Sequence, residues 1–299
     1  MTTTTTTTTT SAAAMTMREL QAAIGEHLTT MFPNVRSMVR SPYRLTMTGD
    51  ASAKLRKGET SIYGVSMPPA KLWISADGTT SATLPDCGGV WQYFGNVCPW
   101  ADGCVETCIA STGHYGMGQS IARAWVRVLW HTRRDLFVAL LTRELSALNV
   151  KARKAPGRVA VRLNVTSDIR WERHIDMASY DALTFYDYTK ASPAALSAIA
   201  PNYDLTFSVT RRWSVDDMRA AAADGRRLAV IVPDHAAADA PTIAGIPAVN
   251  GDHSDERFAD AAGVAVLLRV KRPTNRAPIA AIYDGGMVRD AAGSIAVRG

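Results

Sequence analysis

The sequence predicts an α/β protein built on a partial, (β/α) barrel-like parallel sheet, preceded by an irregular N-terminal layer. Three observations carry this. Short apolar runs recur at 158–165 (RVAVRLNV), 182–188 (ALTFYDY), 203–209 (YDLTFSV), 227–232 (RLAVIV), 246–250 (IPAVN) and 264–270 (VAVLLRV). Helical or turn segments, such as the amphipathic stretch 214–223 behind Trp213, lie between them, and alternating strands and helices pack as a mainly parallel sheet. A long helix over 119–149 comes first, with Ile121, Trp125, Val128, Leu129, Leu136, Leu140, Leu141, Leu145 and Leu148 at periods of three and four.

Taken in order, residues 1–14 hold a run of threonine and then alanine, which offers no face to bury and reads as a disordered tail. Residues 15–31 carry Leu20, Ala23, Ile24 and Leu28 at helical spacing. Up to residue 86 the chain is rich in Gly, Pro, Ser and Thr, with short strand-like pieces such as 71–75, and forms the irregular layer. A strand over 90–97 leads into a cysteine loop, and residues 87–272 form the metal-binding α/β domain. From 273 to 299 the chain reads as a hairpin extension, 277–283 and 287–289 around Asp284-Gly285-Gly286.

Composition sets bounds on function. A chain of 299 residues, 47% hydrophobic, can bury one substantial core. It has no apolar run of about eighteen residues and no signal-like N-terminus, so a cytoplasmic location without membrane insertion is expected. The net charge of +6 is spread along the chain and permits an anionic partner, nucleic acid or nucleotide, without requiring one. There is neither a Walker A sequence nor a dinucleotide-binding glycine fingerprint.

All 4 cysteines fall between positions 87 and 108. A disulfide framework would spread its cross-links, so clustering in a cytosolic chain points to metal or redox chemistry. Cys98, Cys104 and Cys108 make a C-x5-C-x3-C loop with Gly103 to let it turn, and Cys87 lies upstream in Pro-Asp-Cys-Gly-Gly. With Cys87, four thiolates suit zinc or an ordinary iron–sulfur cluster. Without it, a [4Fe–4S] cluster held by three thiolates keeps one iron open.

Polar residues gather where predicted strands end: Thr166-Ser167-Asp168 with Glu172, Asp187 and Lys190, Thr210-Arg211, and Asp252-His253-Ser254-Asp255. Ligands of parallel α/β folds bind at carboxyl ends of strands. Asp168, Glu172, Asp187, Lys190, Arg211, Asp252 and Asp255 are therefore the candidate catalytic or substrate-positioning groups. Helix capping is the competing explanation and accounts well for Ser167 and Ser214. Arg123, Arg127, His131 and Arg134 share one helix face, which reads as solvated rather than as an anion site.

A three-cysteine loop after an early strand, then a long helix and βα units, resembles the radical S-adenosylmethionine enzymes. The spacing departs from their usual C-x3-C-x2-C, and Thr166-Ser167-Asp168 stands where their Gly-Gly-Glu element would be. The chain more closely resembles a family of phage and prophage proteins. That resemblance is carried by Cys98-Pro…Cys104…Cys108, Arg162-Leu-Asn-Val-Thr-Ser-Asp168-Ile with Trp171-Glu172, Phe185-Tyr-Asp-Tyr-Thr-Lys190, Asn202-Tyr203 with Leu205-Thr-Phe-Ser208, and Gly251-Asp252…Asp255 with Arg257-Phe258. It implies a phage-encoded, metal-binding, barrel-like core in the cytoplasm of the infected cell and brings no activity with it. The expectation is an iron–sulfur enzyme, with S-adenosylmethionine as the cosubstrate that the radical-enzyme resemblance implies, that acts on nucleic acid or a nucleotide-derived substrate. The alternatives are a zinc-bearing, non-enzymatic nucleic-acid-binding protein and a metal-dependent hydrolase with a structural cysteine site.

Overall fold

The computed structural model describes residues 11–36, 38, 42–48, 60–81, 90–101, 104, 108, 123–196, 199–271 and 286–296. Helix α1 (Met17–Met31) starts at a capping box: Thr16 Oγ1 accepts from the Glu19 amide, and the Glu19 carboxylate accepts from the Thr16 amide at 2.7 Å. Its Leu20, Ile24 and Leu28 are fully buried, each worth roughly 2 kcal/mol of apolar burial. Within the stretch read as tail, Ala12–Ala14 form a short 3-10 turn, and Arg143 donates to the Met15 carbonyl at 2.6 Å.

The predicted helix over 119–149 is two helices among the described residues, α2 (Ala124–Thr132) and α3 (Arg134–Ala152). The break is at Arg133, whose backbone (φ −139°, ψ 65°) leaves the helical region. Two side chains stabilise it. Thr132 turns its hydroxyl back to the Val128 carbonyl at 2.8 Å, and the Arg133 guanidinium grips Asp135 in the first turn of α3. A carboxylate there is also favoured by the helix dipole.

The strands are β1 (Thr46–Thr48), β2 (Ser61–Val65), β3 (Lys71–Ser75), β4 (Thr80–Ser81), β5 (Trp91–Asn96), β6 (Val159–Arg162), β7 (Leu183–Thr189), β8 (Tyr203–Ser208), β9 (Arg227–Val232), β10 (Thr242–Ile243), β11 (Ile246–Asn250) and β12 (Ala265–Arg269). Nine form one sheet in the order β1-β2-β6-β7-β8-β9-β12-β11-β10. From β2 to β11 every neighbour is parallel, while β1 and β10 pair antiparallel at the two margins. The sheet is open and no closed barrel is seen among the described residues, because the outermost strands do not pair with each other.

All six apolar runs are strands of this sheet. The strand over 90–97 is not: β5 pairs antiparallel with β3 in a separate small sheet, β4-β3-β5. Conversely, the irregular N-terminal layer contributes β1 and β2 to the large sheet. Of the expected C-terminal hairpin, 277–283 lies outside the described residues. Val288 bridges Ile231 of β9 in parallel, and Arg289 bridges Ile295.

Side chains alternate across the sheet. Tyr63, Val161, Phe185 and Tyr203 face the core built with α1, α2 and α3. Phe207, Leu228, Val230 and Leu267 face α4 (Val215–Ala223), which carries its own capping box from Ser214 and Asp217. The opposite face bears Ile62, Ala160 and Tyr186 under Phe258, and Ile231 under Met287 and Val288. No helix among the described residues is long and apolar enough to cross a membrane.

Candidate functional site

The carboxyl ends of β2, β6 and β7 lie side by side in parallel register, and the cysteine loop reaches them from the small sheet. Its anchor is a pair of backbone contacts. Asp168, beyond the end of β6, donates its amide to the Val97 carbonyl at 2.7 Å, and Val97 donates to the Ala70 carbonyl at 3.2 Å. The Cys98 sulfur accepts from the Ala70 amide at 3.4 Å and lies 3.8 Å from the Thr166 carbonyl oxygen. Burial pushes the Cys98 thiol up, a shift only partly opposed by the Ala70 amide and Lys190.

Ala70 has φ 52°, in the left-handed region that an alanine adopts at a cost of about 1–2 kcal/mol. Arg127 holds it there. This fully buried guanidinium donates to the carbonyls of Phe94 (2.8 Å), Pro68 (2.7 Å), Ala70 (2.5 Å) and Gly95 (2.6 Å). Burial lowers its pKa to about 10, with Cys98 and Tyr93 opposing. Arg123 likewise donates to the Ser66, Arg44 and Leu45 carbonyls. The helix face read as solvated is thus partly a backbone clamp. Carbonyl groups left unpaired by the irregular segments around β3 and β5 draw the guanidiniums inward.

Lys190, at the end of β7, is the meeting point. Burial works against its charge, yet Cys104, Asp168, Cys98 and Cys108 together raise its pKa above the ordinary value, so all three loop cysteines and Asp168 lie within electrostatic reach of one ammonium. That ammonium makes no ion pair within 4.0 Å among the described residues. Asp168 is committed elsewhere: its carboxylate accepts from the Thr189 hydroxyl and the Lys190 amide, both at 2.9 Å. Burial raises the Asp168 pKa, with Lys190 opposing.

Asp187 is fully buried on the helix-facing side of β7. It accepts from the Asn164 amide at 2.6 Å and the Tyr203 hydroxyl at 3.0 Å, and burial pushes its carboxyl up to about 7. Asn164 arranges the loop that delivers Asp168: its side-chain oxygen accepts from Ser167, Ile169 and the Trp171 indole at 2.8–2.9 Å. Ser167 is therefore a loop strut and caps no helix. Asp255 stands 3.5 Å from Arg162 at the end of β6, and Arg162 in turn lies within electrostatic reach of Asp187.

Among the remaining candidates, Glu172 pairs with its neighbour Arg170 and lies within electrostatic reach of Tyr203. Asp252 turns to the Arg269 amide at 3.3 Å, and Arg211 is exposed beside Gly286. His253 is exposed. Cys87 lies outside the described residues. The composition of the set, three thiols facing one cation, is soft-metal chemistry. Among the described residues, however, no group of three His, Cys, Asp or Glu side chains is arranged to hold a metal ion.

Arg162, Asn164, Tyr203, Arg127 and Ala70 escape a sequence reading that looks for acids and thiols. The available signal was positional: Arg162 and Asn164 interrupt apolar runs where the chain buries both faces.

The model of one protein family, described as Gene product 88, matches residues 46–285. No curated protein and no solved structure matches the chain. The family match agrees with the phage-family half of the resemblance read in the sequence and lends no support to the radical S-adenosylmethionine half.

Proposed function

The chain belongs to the Gene product 88 family of phage proteins, and from that premise we propose that it is an iron–sulfur protein acting on a nucleotide-derived substrate or nucleic acid. Cys98, Cys104 and Cys108 would hold the centre once their sulfurs are drawn together, since among the described residues the structure does not gather them into a metal-binding group, with Asp168, Lys190 and Asp187 beside it.

One observation carries the reading: the part-buried Lys190 ammonium lies within electrostatic reach of all three loop thiols, and no ion pair within 4.0 Å holds it among the described residues. With protonated thiols Asp168 alone offsets that charge, whereas metal binding deprotonates its cysteines and supplies further negative charge beside Lys190. Three thiolates on a [4Fe–4S] cluster leave one iron available to substrate, which is the chemistry such a centre supplies. The chain's own part is to anchor the loop through Val97 and Asp168 and to hold a fixed cation next to it.

The test is anaerobic purification with iron, acid-labile sulfide and zinc determination and an absorbance spectrum. Iron with sulfide supports the reading. One zinc per chain replaces it with a structural site, and no metal at all sinks both. Cleavage of S-adenosylmethionine by the reduced protein would make the centre radical-type.

A further inference from the structure

The small sheet turns one face inward and one outward. Its inward positions, Leu72 and Ile74 of β3 and Phe94 of β5, are buried in the core. Side chains alternate along a strand, so Trp73 on β3 and Tyr93 on β5 point the other way. They are registered opposite each other, their rings tilted at 39° with centroids 4.8 Å apart. Tyr93 is 40% exposed and Trp73 is half-buried. Trp91, registered opposite Ser75, lies on the same face.

A cross-strand aromatic pair steadies a small sheet by itself, but that accounts for neither the third ring nor the charges around it. Lys71, two residues before Trp73, is exposed on this face. His131, in the last turn of α2, sets its ring edge-on to Tyr93 at 6.5 Å. It comes this close because Gly95 (φ 72°) takes up the extra residue of a bulge in β5; a β-carbon there would meet His131 at 2.9 Å. The exposed Arg134 lies within electrostatic reach of His131. Neither Lys71 nor Arg134 has an ion pair among the described residues. Asp77, in the turn after β3, is occupied by the Ser75 hydroxyl and the Thr79 amide.

Exposed rings flanked by uncommitted cations match one kind of partner. Successive bases of a single strand stack on such rings while its phosphates meet the cations. A duplex hides the faces of its bases, and an apolar protein surface would make no use of Lys71 and Arg134. The net charge of +6 adds long-range attraction for a polyanion. From Lys71 to Ser75 the face is about 13 Å long, space for roughly two or three bases.

We propose that the outer face of the small sheet binds single-stranded nucleic acid, its bases stacking on Trp73 and Tyr93 and a phosphate meeting Lys71. The bound strand would pass beside the cysteine loop, because Lys71 is registered with Asn96, whose side chain accepts from the Cys98 amide at 2.9 Å. The inference rests on the nucleic-acid half of the proposed function and names the surface that half requires. Strand binding is measured independently of the metal, so either can fail alone.

The experiment follows the fluorescence anisotropy of short labelled oligothymidine and oligouridine with the full-length protein across a salt series, with a DNA duplex and heparin as competitors. Oligonucleotide should bind and be displaced by unlabelled single strand more readily than by duplex or heparin. Tyr93→Leu and Trp73→Leu should each weaken binding about tenfold, and Tyr93→Phe should leave it intact. Lys71→Ala should lower the slope of log affinity against log salt by about 0.7. Melting temperature and metal content verify that each variant is folded. The tighter of the two oligonucleotides identifies DNA or RNA as the source. Binding matched by heparin and untouched by Tyr93→Leu overturns the proposal in favour of general charge attraction. No binding, with self-association that Tyr93→Leu abolishes, overturns it in favour of a second copy on this face. Neither binding nor self-association overturns it in favour of a packing pair. Absence of iron and sulfide with strand binding retained counts against the iron–sulfur reading alone.

Discussion

Asp168 and Lys190 are joined through the backbone: the Lys190 amide donates to Asp168 Oδ2 at 2.9 Å, while the Lys190 ammonium is left to face the cysteines. The carboxylate therefore fixes where the end of β7 sits relative to the loop after β6. This changes what substitution should do. From sequence, Asp168→Asn and Lys190→Met would both be expected to spare the fold and abolish function.

Asp168→Asn should instead destabilise the protein. It replaces one of two satisfied carboxylate acceptors with an amide N–H against the Thr189 hydroxyl and removes negative charge near a part-buried cation, a loss of about 1–3 kcal/mol. Lys190→Met should fold with near-normal stability, because an uncharged side chain of similar length fits the same space. Urea unfolding of both variants checks this, and equal stability of the two would contradict the assignment of Asp168 as a strut.

Arg127→Met should cost at least about 3 kcal/mol, since it strands several buried carbonyls at about 1–3 kcal/mol each. Ala70→Gly should cost little or gain up to about 1 kcal/mol, because glycine tolerates the φ of 52°. Thermal melts of the two variants decide the matter. A tolerant Arg127 would mean the clamp is dispensable.

Asp187 should give the protein a pH dependence of definite sign. Its carboxyl rises from an ordinary 3.8 to about 7 on folding, chiefly through burial. Between these values the folded state keeps a proton that the unfolded chain has released. Its contribution is therefore fully present below the unfolded value, falls as pH rises toward the folded value, and is flat beyond. The slope is at most on the order of 1.4 kcal/mol per pH unit. Asp187→Asn lacks the effect, so the variant should gain on wild type between about pH 4 and about pH 7. A constant difference across that range would refute the raised carboxyl.

For the cysteines, Cys98→Ala, Cys104→Ala and Cys108→Ala should each abolish metal binding, and Cys87→Ala should leave most of it. Metal content after anaerobic purification is the measurement. Equal loss with Cys87→Ala would establish a four-thiolate site and remove the open iron.

What the sequence determined by itself was local. The six runs from 158 to 270 became β6, β7, β8, β9, β11 and β12 because apolar β-branched segments bounded by turn residues leave few other ways to bury them. Helix starts were equally legible, since a capping box such as Ser214 with Asp217 is complete within four positions. The cysteine loop could be read as a cluster on spacing alone.

Tertiary structure decided the rest. Only assembly could send β5 into a small antiparallel sheet, pair β2 with β6, or set Val97 against Asp168 across some seventy positions. Only assembly could turn Arg127 from a surface charge into a buried clamp. The physical reason is common to all of these. Apolar periodicity is written in neighbouring residues, whereas the partner of a buried polar group is whichever donor or acceptor the distant chain brings to it, and burial makes that pairing obligatory.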